Sequence, residues 1–115
     1  MTKINLYGLK NCDTCKKAMK ALEQKNIDFE FIDIRSEADL SSKLPEWLNS
    51  VGVDKLLNKR STTWRSLTAA EQEAALGGKT KTTLENNPTL IKRPVIEVQK
   101  TIYVGWTKDV QEDLI

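Results

Sequence analysis

The sequence predicts an α/β fold: a four-stranded mixed β-sheet flanked by helices, with a helical insertion between an N-terminal βαβ unit and a C-terminal β-hairpin. Three observations lead there. A strand pattern, a helix pattern and a second strand pattern succeed one another before Ile34; the middle third carries helical periodicity; and two β-rich runs flank Gln99-Lys100 near the end. At 115 residues the chain fits one domain, 1–115, with a core that needs no metal or disulfide staple.

The first strand is read from Lys3-Ile4-Asn5-Leu6-Tyr7, where polar and apolar residues alternate up to Gly8. From Asn11 the period changes. Cys15, Ala18, Met19 and Leu22 recur at three- and four-residue spacing, which predicts a helix from about Cys12 to Lys25 with Asn26 at its exit. Phe29 to Ile34 is rich in bulky β-formers and supplies the second strand. Strand, helix and strand at this spacing form a βαβ unit with parallel strands and a right-handed crossover.

Leu40, Leu44, Leu48 and Val51 mark a second helix that ends on a left-handed cap at Gly52, with Pro45 required in its first turn unless the helix starts later. Val53 to Asn58 reads as a further helical turn or two, and Lys59 to Thr63 as a loop. Thr68-Ala69-Ala70-Glu71 matches a capping box, so a helix should run from Ala69 to Leu76 and stop at Gly77-Gly78. A short helix over Thr82 to Asn87 is closed by Pro88. Beyond Pro94, Val95–Val98 and Thr101–Val104 predict a hairpin, and Val110 and Leu114, four apart, a short terminal helix from Lys108. This order of elements is the plan of the thioredoxin fold.

Composition narrows the chemistry. With 18 Lys+Arg against 16 Asp+Glu the net charge is only +2, which speaks against a direct nucleic-acid binder and leaves a faint preference for anionic ligands. Histidine is absent, which removes the usual general base and the commonest metal ligand, so no metal site is expected from two cysteines. Met1 to Leu6 shows no leader pattern and no apolar run approaches the ~20 residues that cross a bilayer. A cytoplasmic, monomeric protein without membrane contact is the expectation.

Cys12-Asp13-Thr14-Cys15 falls where the first strand hands over to the first helix, so Cys12 takes the cap or first helical position. Free amides and the helix dipole favour a negative charge there. Lys10, Lys16 and Lys17 add positive charge while Asp13 opposes it, and the setting predicts a thiolate-prone, nucleophilic Cys12. Cys15, one turn on and on the same face, is spaced to resolve a mixed disulfide. It fits equally well as a small buried hydrophobe on the stripe of Ala18 and Leu22.

These residues resemble the arsenate-reductase-like branch of the thioredoxin superfamily, the ArsC/Spx/YffB-type proteins, over essentially the whole chain. The resemblance rests on Leu6 to Ala18, on Leu56 to Arg65, on Pro88-x-Leu90-Ile91-Lys92-Arg93-Pro94 and on Val104-Gly105-Trp106, and is nearest the YffB-like subgroup. It implies that Cys12 is the attacking thiolate and that Pro94 is cis, with Arg93 facing the cysteine pocket to bind an oxyanion or carboxylate. Arg60 resembles a loop arginine of the YffB and Spx subgroups, although a solvated surface role suits Arg60 and Arg65 equally. Lys10 and Asn11 would border the anion site, or serve only as turn residues. Trp47 and Trp64 read as packing residues.

The implied activity is that of a thiol-dependent oxidoreductase with no bound cofactor, using glutathione as co-substrate and glutathione, glutaredoxin or thioredoxin as reductant. Two departures count against arsenate itself: Asn58 stands where arsenate reductases of the glutaredoxin-coupled type carry an arginine, and no arginine lies near Gly105-Trp106. The alternative is an Spx-type redox-sensing regulator that binds the C-terminal domain of the RNA polymerase α subunit, with Gly52 in the presenting region. A third reading is an inert interaction domain of the same fold.

Overall fold

The computed structural model describes residues 4–115, so Lys3 and the leader reading at Met1 to Lys3 lie outside the described residues. The chain divides into two compact units, residues up to Ala38 together with Arg93–Ile115, and the intervening Asp39–Lys92.

The first unit holds the whole sheet. Its strands are β1 (Ile4–Gly8), β2 (Phe29–Asp33), β3 (Val95–Val98) and β4 (Thr101–Val104), in spatial order β2-β1-β3-β4. β1 pairs parallel to β2 and antiparallel to β3, and β3 pairs antiparallel to β4. Alternation along β1 sorts its residues between two faces. Ile4 and Leu6 join Ala18 and Leu22 of α1 (Asp13–Gln24), Ile96 and Val110 in one buried cluster, against which Met19, Phe29, Phe31, Tyr103 and Leu114 pack. Each fully buried aliphatic side chain contributes roughly 1.5–3 kcal/mol, so this cluster fixes α1, and the C-terminal helix α7 (Lys108–Leu114), on the sheet.

On the alternate positions Asn5 stands opposite Glu97 in register, and Glu97 is buried. Tyr7 donates its hydroxyl to Glu97 Oε1 at 3.0 Å and Asn5 Nδ2 donates to the same oxygen at 3.4 Å. Pairing of this kind makes a carboxylate tolerable in the middle of a sheet.

α1 ends as its sequence requires. Asn26, at φ 57°, takes the left-handed position, and the N–H groups of Asn26 and Ile27 reach Glu23 O (3.0 Å) and Leu22 O (2.9 Å), a Schellman closure. Gln99, also at φ 57°, opens the two-residue hairpin turn between β3 and β4.

The second unit is the helical insertion: α2 (Leu40–Val51), α3 (Val53–Leu56), α4 (Thr62–Ser66), α5 (Ala69–Leu76), α6 (Thr80–Asn86) and a 3₁₀ turn at Pro88–Leu90. Its buried residues include Leu44, Trp47, Leu56, Leu57, Leu84, Leu90 and Ile91, while Trp64 is half-buried. Leu57 and Ile91 form an antiparallel bridge, flanked by Asn58 N–H to Leu90 O (2.7 Å) and Lys92 N–H to Leu56 O (2.8 Å).

Four expectations need correction here. Pro45 lies inside α2, past its first turn, because Asp39 caps the helix by accepting from Ser42 N–H and so fixes the start at Leu40. Gly52 caps α2 as expected, its N–H donating to Leu48 O at 2.9 Å, and has the positive φ expected (83°), but ψ is 166°, an extended mirror conformation that only glycine adopts readily and not the left-handed helical one. Thr62 and Thr63 are helical, since Ser61 accepts from Trp64 N–H at 3.1 Å and starts α4 there. The helix expected from Thr82 begins at Thr80. The capping box at Thr68 and Glu71 forms as read, with α5 ending at Leu76.

Candidate functional site

β1 stops at Gly8, and Leu9, Lys10 and Asn11 turn the chain into α1. Cys12 is the N-cap residue of that helix, with extended backbone at φ −96° and ψ 119°. Its N–H donates to Leu9 O at 3.2 Å and its carbonyl accepts from Lys16 N–H at 2.9 Å, so both sides of the turn are anchored. Cys12 is half-buried; Cys15, inside the first helical turn, has no exposure. Gly8 makes room for it, because a Cβ at Gly8 would lie 2.5 Å from Cys15 Sγ.

The two free cysteines lie within hydrogen-bonding reach of each other and are electrostatically opposite. Burial is the strongest single influence on Cys12 and opposes its ionisation. The Cys15 N–H, the Cys15 thiol, the Arg93 guanidinium and the Thr14 N–H all favour the anion, and together they bring Cys12 below the ordinary thiol value of 9.0. The sulfur closes no side-chain cap bond of full geometry, so these amides act on it as nearby dipoles at the helix end. Burial pushes Cys15 up to about 12; the Leu9 N–H lowers it, the hydrogen bond to Cys12 and the Cys12 charge raise it further, and Arg93 lowers it. The shared proton therefore stays on Cys15, which donates to Cys12.

Arg93 precedes Pro94 through a cis peptide bond, as the resemblance implies, and Pro94 is buried at the foot of β3 with its carbonyl accepting from Gly105 N–H at 2.8 Å. Arg93 Nη1 is buried and makes no hydrogen bond among the described residues. A guanidinium that acts on both sulfurs and keeps a buried donor unspent is suited to an anion arriving at Cys12. The positive influence on Cys12 was expected from Lys10, Lys16 and Lys17; the structure assigns it to Arg93, because the lysines are exposed and their charges are screened by water.

Lys10 and Asn11, both exposed, face a different feature. With Leu9, Asp33, Arg35 and Ser36 they line an open cleft of about 510 Å³ at the C-terminal ends of the parallel strands β1 and β2. Asp33 shapes the far wall: its Oδ1 accepts from Arg35 N–H at 2.8 Å and Ser36 N–H at 3.1 Å, which holds its carboxyl below the usual range. Sequence reasoning missed Arg35. A signal existed, since ligands of open α/β sheets gather beyond the carboxyl ends of parallel strands and Arg35 closely follows β2.

Arg60 belongs to the second unit. It is exposed, on the turn before α4, with its N–H donating to Asn58 Oδ1 at 3.1 Å and its carbonyl accepting from Arg65 Nη2 at 3.4 Å. Among the described residues no group of three or more His, Cys, Asp or Glu is placed to hold a metal ion, and no helix is long and apolar enough to cross a membrane.

Comparison with known proteins places the fold and the chain. The solved structure of a YffB protein superposes with a TM-score of 0.84 at 32% identity, covering 96% of this chain and 97% of that one. An arsenate reductase (ArsC) related protein from Brucella melitensis superposes at 0.77, also 32% identical, over 96% of this chain and 92% of its own. The global transcriptional regulator Spx 1 of Oceanobacillus iheyensis is 29% identical over 108 residues, 92% of this chain and 82% of the regulator. The model of the ArsC family matches residues 7–114, and the chain belongs to that family.

Proposed function

We propose that this protein is a cytoplasmic thiol-dependent oxidoreductase of the arsenate-reductase-like type, with Cys12 as nucleophile and glutathione as co-substrate. The observation that carries the reading is the division of labour within one pair: a half-buried sulfur biased toward the thiolate beside a buried, protonated thiol and a guanidinium with a free buried donor. In the reaction the Cys12 thiolate attacks one sulfur of a glutathione mixed disulfide. A bond forms between Cys12 Sγ and that sulfur, the disulfide breaks, and the departing thiolate takes a proton from solvent. The Cys12 adduct is then released by a second glutathione, or by Cys15 once its proton is lost, which leaves an internal disulfide for glutaredoxin or thioredoxin to reduce. Arg93 holds the carboxylate or oxyanion of the incoming group.

Catalytic reduction of a glutathione mixed disulfide by the purified protein, abolished in Cys12→Ser, is the expected result. Absence of turnover with both this substrate and arsenate defeats the enzyme reading. Similarity to Spx along 92% of the chain favours a second reading, a redox-sensing regulator. That reading requires capture of the C-terminal domain of the RNA polymerase α subunit, varying with the oxidation state of Cys12 and Cys15 and without turnover.

A further inference from the structure

The cleft beyond β1 and β2 is not used by the chemistry just described, yet it is charged and it borders the cysteine turn. Lys10 reaches it from the turn that ends in Cys12, and Arg35 from the turn that follows β2. Two cations face one carboxylate there, and that carboxylate is occupied by the Arg35 and Ser36 amides. Among the described residues no ion pair engages Lys10 or Arg35; Arg35 acts on Asp33 only at longer range. Asn11 adds an amide that can both donate and accept. Leu9 also lines the cleft; its carbonyl accepts from Cys12 N–H and its N–H acts on Cys15, so the cleft lies beside the turn that carries the cysteine pair.

We infer that this cleft recognises the carboxylate end of a small peptide thiol or disulfide, with Arg35 as its specificity-determining residue and Lys10 as partner, and orients the sulfur of that molecule toward Cys12. The inference rests on the oxidoreductase reading. It extends that reading by naming a second anion-recognising group on the side of Cys12 formed by the strand ends, distinct from Arg93. A volume of about 510 Å³ suits a tripeptide-sized ligand. Arginine at the wall supplies a planar fork of donors that matches a carboxylate, whereas lysine adds a mobile point charge.

The experiment measures second-order rates of mixed-disulfide formation at Cys12 with three reagents: oxidised glutathione, which is anionic; bis(2-hydroxyethyl) disulfide, which is neutral; and cystamine, which is cationic. In each case the Cys12 thiolate displaces one half of the reagent as its thiolate, so mass change reports the step. The wild type should favour oxidised glutathione over cystamine beyond the ratio shown by a free cysteine peptide. Arg35→Gln should lower that preference roughly fivefold, the scale of one partly screened ion pair, Lys10→Gln should lower it less, and Arg35→Glu should reverse it. The preference should also shrink in 0.5 M salt, where the Debye length falls to about 4 Å. Fast reaction with all three reagents and a charge preference that the Arg35 variants leave intact overturns the inference alone. Uniformly slow reaction with all three, no faster than the free peptide, overturns the oxidoreductase reading and the inference with it.

Discussion

Cys12 and Cys15 are one residue type three positions apart, and their surroundings separate them. Burial works against ionisation at both sulfurs and most at the fully buried Cys15, and the partners widen the gap: two amides of the first helical turn and a thiol proton favour the anion at Cys12, while a neighbouring negative sulfur opposes it at Cys15, with Arg93 favouring the anion at both. The helix-end setting of Cys12 was legible in the sequence because a cap position follows from local pattern. The cation was not, since Arg93 is distant in sequence and spacing along a chain says nothing of which charge arrives through space; only the resemblance pointed to it. Removing the thiol donor in Cys15→Ala, or the guanidinium in Arg93→Gln, should move the midpoint of Cys12 alkylation by iodoacetamide to higher pH, slowing the reaction several-fold at pH 7. A midpoint that stays in place in both variants shows that neither partner holds the thiolate.

The junction of β1 and α1 owes its shape to Gly8 as much as to the cysteines. An alanine methyl there would be driven into Cys15 Sγ, a fully buried atom at the base of the helix that cannot simply swing into solvent. Gly8→Ala should therefore cost about 1–3 kcal/mol by overpacking and should disturb the Cys12 midpoint as well, because Cys15 is its donor. Urea unfolding and the same alkylation profile test both parts; a variant of unchanged stability means that the sulfur has somewhere else to go. Sequence marked Gly8 only as a strand end. Elements whose limits are set by side chains a few residues away were read well: Thr68 and Glu71 fixed α5, and Asn26 closed α1. Limits went astray at Pro45 and Thr62, where Asp39 and Ser61 supplied caps that outweighed proline position and loop-like composition. Arg35 escaped for a related reason, as its turn depends on the Asp33 carboxylate and on β2 lying beside β1.

Across the whole molecule, the succession of strands and helices and the place of the helical insertion were legible from the alternation of patterns and from the family resemblance, whereas the spatial order of the strands and the division at Ala38 and Arg93 into two compact units were not, because periodicity and capping report on neighbours within a turn or two. The thiol pair also leaves its mark on global stability. Cys12 ionises more readily in the folded protein than in the unfolded chain, so the folded state binds fewer protons as pH rises through its lowered value toward 9.0, and stability grows over that window. Cys15 behaves in the opposite sense. Between the ordinary 9.0 and about 12 the folded state keeps a proton that the unfolded chain has lost, so stability falls with rising pH, by at most about 1.4 kcal/mol per unit for one proton. The contribution of Cys15 is read as a difference between variants. The urea midpoint of the wild type minus that of Cys15→Ala should decline steadily from pH 9 to pH 10.5, while the difference from Cys12→Ser should rise with pH until it levels off at about pH 9. Parallel curves for wild type and Cys15→Ala above pH 9 would mean that Cys15 ionises as freely in the folded protein as outside it, and the proton that keeps Cys12 an anion would then have no secure owner.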